Sequence, residues 1–358
     1  MLLWVLPELP NPCLPTTNIY MIHKIKDIEL ADISRYRGEL MGVAMIAIIL
    51  FHVSLPRSDM FYGLRRMGNI GVDIFLFLSG MGLWFSWVKN QSVKRFFTRR
   101  YLRIYPTWLV VAGLFYGCDF FGAQRYSKDI VDLLGDVLIN WDFWLHDEGT
   151  FWYIPATMML YIFTPAYMTL IRRNPVYRWM PALMMVWCVA VQWVAPIHSA
   201  VGHIEIFWSR IPIYLIGINM GEAVRNKTIL RGSSIWLIAL FFIASLSTCV
   251  YLEQVLHGRF PLFIERMVYI PLTITGILLF CRLFAVLPEK LNKGLAFIGT
   301  ISLEIYLIHA HFILCHIEKL KLGYWPTFII CVAIAFPIAW ALGKIMKMIT
   351  NPIEKRLK

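Results

Sequence analysis

The sequence predicts an all-α polytopic integral membrane protein, a helical bundle of about ten transmembrane segments, and three observations carry that prediction. Hydrophobic residues make up 59% of the chain and charged ones only 16%, with a mean hydropathy of +0.63, a balance foreign to soluble globular domains. Apolar windows of roughly 17 to 23 residues recur along nearly the whole chain, each long enough to cross about 30 Å of hydrocarbon as a helix. When the chain is threaded through these windows, 24 of the 34 Lys and Arg fall on one side, as the positive-inside rule requires of cytoplasmic segments.

Taken in order, the windows lie at 38–56, 67–88, 104–122, 151–171, 179–197, 205–224, 233–251, 264–286, 295–315 and 326–349. They are too long and too evenly apolar for the alternating ten-residue strands of a membrane barrel. The charge bias places both termini in the cytoplasm and accounts for most of the net charge of +12 without nucleic acid. Three parts are expected: a cytoplasmic, disordered N-terminal segment at 1–34, a transmembrane domain at 35–349 and a basic cytoplasmic tail at 350–358. The first twenty residues contain the proline-rich LPELPNPCLP and lack the pattern of a signal peptide, and Met21 follows as a second candidate start. The acidic stretch 123–150 reads as an outward loop or lid with a short helix near 128–139. Seven scattered cysteines show no paired spacing and imply neither a disulfide framework nor a metal site.

Polar residues at the spans carry the functional signal. In FFTRRYLRIYP (96–106), Arg99, Arg100 and Arg103 fall within about 60° of Arg103 on a helix, so all three are expected to face one way as an anion clamp at a membrane boundary. Arginine suits bidentate phosphate binding, whereas setting topology is the ordinary task of juxtamembrane cations. His52 ends the run ELMGVAMIAIILFH, where a neutral imidazole is either a hydrogen-bonded packing group or a proton acceptor. In GNIGVDIFLFLSGMGLW (68–84), Gly68, Gly71, Gly80 and Gly82 permit close helix approach, and Asp73 and Ser79 are expected to face inward. A mid-membrane carboxylate calls for a cation, here an arginine or a protonated His52, and Asp73 is therefore grouped with His52 as catalytic. Ser302, Tyr306 and His309 share a helical face in SLEIYLIH (302–309), as a site or as interfacial anchors; Trp152 and Tyr153 fit the interfacial aromatic belt or could stack on a sugar ring, and Arg210 is either an ion-pair member or an acceptor contact.

In this order, ILFH (49–52), GVDIFLFLSG (71–80), RRYLRIYP (99–106), WYIPATMMLY (152–161), RIPIYLIG (210–217) and SLEIYLIH (302–309) resemble the acyltransferase-3 family of membrane O-acyltransferases that acetylate bacterial surface glycans. The resemblance covers about residues 35–349. It implies His52 as the catalytic base and Arg99, Arg100 and Arg103 as the hold on the acyl donor, acetyl-coenzyme A or another acyl-coenzyme A, a substrate and not a bound cofactor. It also implies a glycan or lipid-linked glycan acceptor, with Ser79, Trp152, Tyr153, Arg210, Tyr306 and His309 as substrate contacts, in the multi-pass setting of a bacterial inner membrane. Ser79, Tyr306, an arginine or a backbone N–H could stabilise the oxyanion. One departure stands out: many members carry an arginine eleven positions before the histidine, where this chain has Met41, and the nearest upstream cations are Arg35 and Arg37. No soluble domain follows the last span, so transfer is expected to finish within the membrane domain. The other function class consistent with intramembrane charges is a transporter or flippase of surface-glycan intermediates, although a transporter more often shows repeated halves or paired broken helices.

Overall fold

The computed structural model describes residues 26–146 and 148–356. Residues 1–25, most of the expected disordered segment, lie outside this range. The rest of that segment is placed: Ile28–Glu29 (β1) pairs antiparallel with Ile229–Leu230 (β2), and Asp32–Arg35 forms one helical turn. The long helices are Arg37–His52 (α1), Ile70–Lys89 (α2), Val93–Phe121 (α3), Tyr153–Arg173 (α4), Met180–Trp193 (α5), Ile211–Arg225 (α6), Ser234–Gln254 (α7), Leu262–Phe284 (α8), Glu289–Thr300 (α9), Ser302–Ile308 (α10) and Tyr324–Arg356 (α11).

Among the described residues, six helical stretches are long and apolar enough to cross a membrane, and two bent pairs, Pro175–Trp193 with Ala195–Trp208 (96°) and Glu289–Thr300 with Ser302–Leu320 (59°), bring the number to eight if each pair is one span. The remaining two expected windows are α1 and α6, of 16 and 15 residues, about 24 Å and 22 Å long against about 30 Å of hydrocarbon. Both sit inside the bundle. α1 packs on α2, α8, α9, α10 and α11, and α6 on α2 and α5. At the periphery, α7 and α11 are mostly unburied within the protein and present Trp236, Leu240, Ile329 and Ile338 outward, as helices facing lipid do.

Close approach around α1 and α2 depends on glycine. A Cβ at Gly42 would collide with the Leu295 carbonyl of α9, and one at Gly71 with the Ala44 carbonyl of α1. α3 begins eleven residues before its expected window, capped by Ser92, whose Oγ accepts from the Arg95 N–H at 3.3 Å. The FTRR arginines are therefore part of the helix itself. Between α3 and α4, the expected short helix is Ile130–Ile139, capped by Asp129, whose carboxylate accepts from the Val131 and Asp132 N–H groups at 2.7 and 2.9 Å. Asp136 is buried there, accepting from Ser127 Oγ at 3.0 Å, and burial pushes its carboxyl up to about 6.

Candidate functional site

Two cavities meet along α1. The first, about 790 Å³, lies toward the Arg37 end, and its polar wall includes Arg37, Arg100, Arg103, Ser79, Tyr153, Tyr161 and Ser302. The second, about 720 Å³, lies toward the His52 end, with His52, His309, His311, Arg66, Arg266, Asn69 and Trp152 on its wall. Ile48, Val72 and Tyr306 line both, so these three side chains form the collar between them. Arg37 and His52, the first and last residues of α1, are about 22 Å apart along its axis.

In the first cavity, the structure brings together two of the three expected arginines and adds a third from elsewhere. Arg100 and Arg103 line it, while Arg99 is exposed and off the wall. The 100° step between neighbours on a helix separates Arg99 from Arg100. Arg37 supplies the other charge. It sits one turn from Met41 on the same wall, with its guanidinium beside Gly82, where a Cβ would lie 3.5 Å from Arg37 Nη2. Arg35, by contrast, pairs with Asp32 at 3.2 Å at the surface. The Nε atoms of Arg37 and Arg100 are buried without a hydrogen-bond partner among the described residues, a state that favours an incoming anion. Ser79 is on this wall, with its Oγ 3.4 Å from Tyr161 Oη.

At the other end, two histidines 257 positions apart in sequence come into contact, His309 Nε2 lying 3.1 Å from His52 Nδ1. Their surroundings fix the tautomers. His309 Nδ1 faces the Ile305 and Tyr306 carbonyls at 2.9 and 3.0 Å; carbonyls only accept, so Nδ1 carries the proton and Nε2 is an acceptor. His52 Nδ1 faces the Ile48 carbonyl at 2.9 Å as well as His309 Nε2, so it too carries the proton and shares it between two acceptors. His52 Nε2 is then left with a free lone pair, the requirement for a general base. A π-helical turn over His309–Leu314 follows α10 directly, an irregularity that recurs at functional sites.

Asp73 is not brought to His52. It forms a buried ion pair with Arg210, on neither cavity wall, and Arg210 in turn lies over Tyr269, 5.5 Å from the ring centroid. Of the two cations expected for Asp73 the structure uses the arginine, which also removes Arg210 from the accessible surface, since each side chain is 1% exposed. The adjacent residues Trp152 and Tyr153 face different cavities, Trp152 the histidine side and Tyr153 the arginine side, and the Tyr153 N–H donates to Tyr306 Oη at 3.3 Å. Sequence reasoning passed over Arg66, assigned to an outer loop, and Arg266, assigned to the outer part of a span, because both read as ordinary topology. Their Glu partners, Glu253 and Glu205, lying in or next to apolar segments, are the signal that was available.

The fold and the site define a class: a polytopic helical membrane protein with an arginine-lined chamber and a histidine pair on either side of one collar. Residues 40–344 match the family described as "Acyltransferase domain", and the chain belongs to this acyltransferase-3 family. It is similar to the Regulator of hypoxia-inducible factor 1 of Caenorhabditis elegans, 27% identical over 183 residues, covering 41% of this chain and 35% of that one. It is also similar to Peptidoglycan O-acetyltransferase OatA of Listeria monocytogenes, 28% identical over 155 residues, covering 36% of this chain and 23% of that one. The matches thus span about a third and a quarter of the lengths of these relatives. No solved structure matches the chain significantly.

Proposed function

We propose that the protein is a membrane O-acyltransferase that moves an acetyl or related acyl group from cytoplasmic acyl-coenzyme A to a hydroxyl of a cell-surface polysaccharide or its lipid-linked precursor. The bacterial inner membrane is its proposed location, with ten crossings and both termini inside. The observation that carries the reading is the convergence of the arginine and histidine chambers on one collar, with His52 Nε2 unprotonated. The donor's phosphates would be held by Arg37, Arg100 and Arg103 through charge-assisted hydrogen bonds. Arg37 would take the place of the arginine absent at Met41. The thin pantetheine arm would carry the thioester to the collar.

There His52 Nε2 takes the acceptor hydroxyl proton as its oxygen bonds to the thioester carbonyl carbon. His309 Nε2 accepts from His52 Nδ1–H and steadies the imidazolium, the orienting part that a carboxylate plays in hydrolase triads. Tyr306 Oη accepts from the Tyr153 N–H, so its own proton is available to the oxyanion of the tetrahedral intermediate. When that intermediate collapses, the C–S bond breaks, the ester remains on the sugar, and the imidazolium proton passes to the departing thiolate. Asp73 is a positioning residue in this scheme, tying α2 to the start of α6 through Arg210.

The test uses labelled acetyl-coenzyme A and glycan-bearing membrane vesicles, with wild type, His52→Ala and the Arg37/Arg100/Arg103 triple alanine variant at matched folded levels. Label in glycan is expected with wild type only. His52→Ala should still bind donor and the triple variant should not. Donor binding by none of the proteins, or undiminished transfer by His52→Ala, overturns the proposal.

A further inference from the structure

We propose that the chamber beside His52 takes a sugar bearing an oxyanion, a carboxylate or a phosphate, and that Arg66 and Arg266 hold that group. The proposal rests on the acceptor reading of this chamber given above. Its wall carries two arginines, three histidines and Asn69, and no aspartate or glutamate side chain. A neutral sugar presents hydroxyl protons and calls for acceptors, which this wall scarcely offers. An oxyanion calls for planar, charge-assisted donors, which it offers twice.

Both arginines are fixed from behind. Arg66 Nε donates to Glu253 Oε1 at 3.0 Å, and its guanidinium lies 4.8 Å from the Phe51 ring centroid. Arg266 Nη1 donates to Glu205 and, at 3.3 Å, to Ser209 Oγ. Neither Glu253 nor Glu205 reaches the chamber wall. The carboxylates therefore set the orientation of the forks without consuming them. Among the described residues, the two terminal amino groups of Arg66 and the Nε and Nη2 of Arg266 have no hydrogen-bond partner. Such pre-ordered donors lose little freedom when a ligand arrives. Trp152, Phe51 and Phe151 supply apolar faces for the ring, and a hydroxyl of the same sugar would face His52 Nε2.

The test is binding, measured without turnover on full-length His52→Ala protein in nanodiscs. The probes are a disaccharide ending in glucuronic acid, its counterpart ending in glucose, and that counterpart carrying a 6-phosphate. At least one anionic probe should bind ten-fold or more tightly than the neutral one, and which of the two prevails identifies the anion. Single loss of either arginine strands a buried carboxylate and endangers folding, so the paired variants Arg66→Gln/Glu253→Gln and Arg266→Gln/Glu205→Gln are compared, with acetyl-coenzyme A binding as the check on the fold. Each pair should weaken the preferred anion about 10- to 100-fold, as loss of a charge-assisted contact does, and leave the neutral probe unchanged. Equal binding of neutral and anionic sugars, an anion preference that survives in both pairs, or no binding of either anion overturns the proposal. Undiminished acetyl transfer by His52→Ala would instead overturn the catalytic reading, and the two failures are separable because this measurement involves no turnover.

Discussion

Replacing His309 by alanine isolates the histidine pair. In the resting site His52 Nδ1–H is shared between the Ile48 carbonyl at 2.9 Å and His309 Nε2 at 3.1 Å, a neutral contact contributing about 1 kcal/mol. In the transition state of the proposed reaction His52 becomes a cation, and the same contact is charge-assisted, contributing about 2 to 3 kcal/mol. The difference, about 1 to 2 kcal/mol, exists only in the transition state and corresponds to about a 5- to 30-fold fall in kcat. The loss is bounded because the Ile48 carbonyl still accepts. KM for the acyl donor should not move, since His309 is on the wall of the second chamber and not of the first. His309→Gln, whose amide oxygen can accept, should recover part of the rate. Single-turnover transfer of labelled acetyl in proteoliposomes separates chemistry from binding. A change in kcat below about two-fold, or a rise in donor KM with kcat intact, would refute the tautomer assignment from which the magnitude comes.

Further outcomes follow from the same geometry. Tyr306→Phe keeps the ring in the collar and removes the phenol proton, so kcat should fall by about 10² to 10³ with donor affinity unchanged, read in the same single-turnover assay. Gly42→Val would force α1 away from the Leu295 carbonyl of α9; overpacking of this kind costs about 1 to 3 kcal/mol or more, and thermal unfolding in detergent should register it. The Asp136 carboxyl, raised to about 6 by burial, binds its proton more tightly folded than unfolded, so its contribution to stability is fully present below about 4 and is lost as pH rises through 6. Amide exchange in residues 127–146, corrected for intrinsic rate, should show more protection at pH 4.5 than at pH 7 in wild type and a flatter profile in Asp136→Asn.

What the sequence made legible is what one helix encodes by itself. Apolar length located most of the spanning helices, and FFTRRYLRIYP announced cations at a helix entering a membrane. The glycines of GNIGVDIFLFLSGMG marked a helix meant to be approached closely, and Gly71 against Ala44 is such an approach. Hidden from the sequence were facts that belong to pairs of helices. Asp73 finds Arg210 across 137 positions and His52 finds His309 across 257, and no window contains both members. Arg99 and Arg100 are neighbours in the chain, yet only Arg100 meets the chamber, because facing is decided by the rotation of α3 against α4, α10 and α11. Arg66 and Arg266 looked like topological charges because a hydropathy window weighs a charge without knowing what it faces, and the sequence could name Arg37 only together with Arg35.

The collar of Ile48, Val72 and Tyr306 has a consequence for the membrane as well as for the reaction. The two cavities reach the same three side chains from opposite ends of α1, so a single septum separates them. On the proposed function, each turnover would pass an acyl group across that septum, and protons following it would cost the cell part of its transmembrane gradient. Two branched aliphatic side chains suit that duty, since they wet poorly and close behind a thin passenger. On that reading the same septum would limit the breadth of the acyl group delivered, so that electrical tightness and acyl selectivity would be set by the same few atoms.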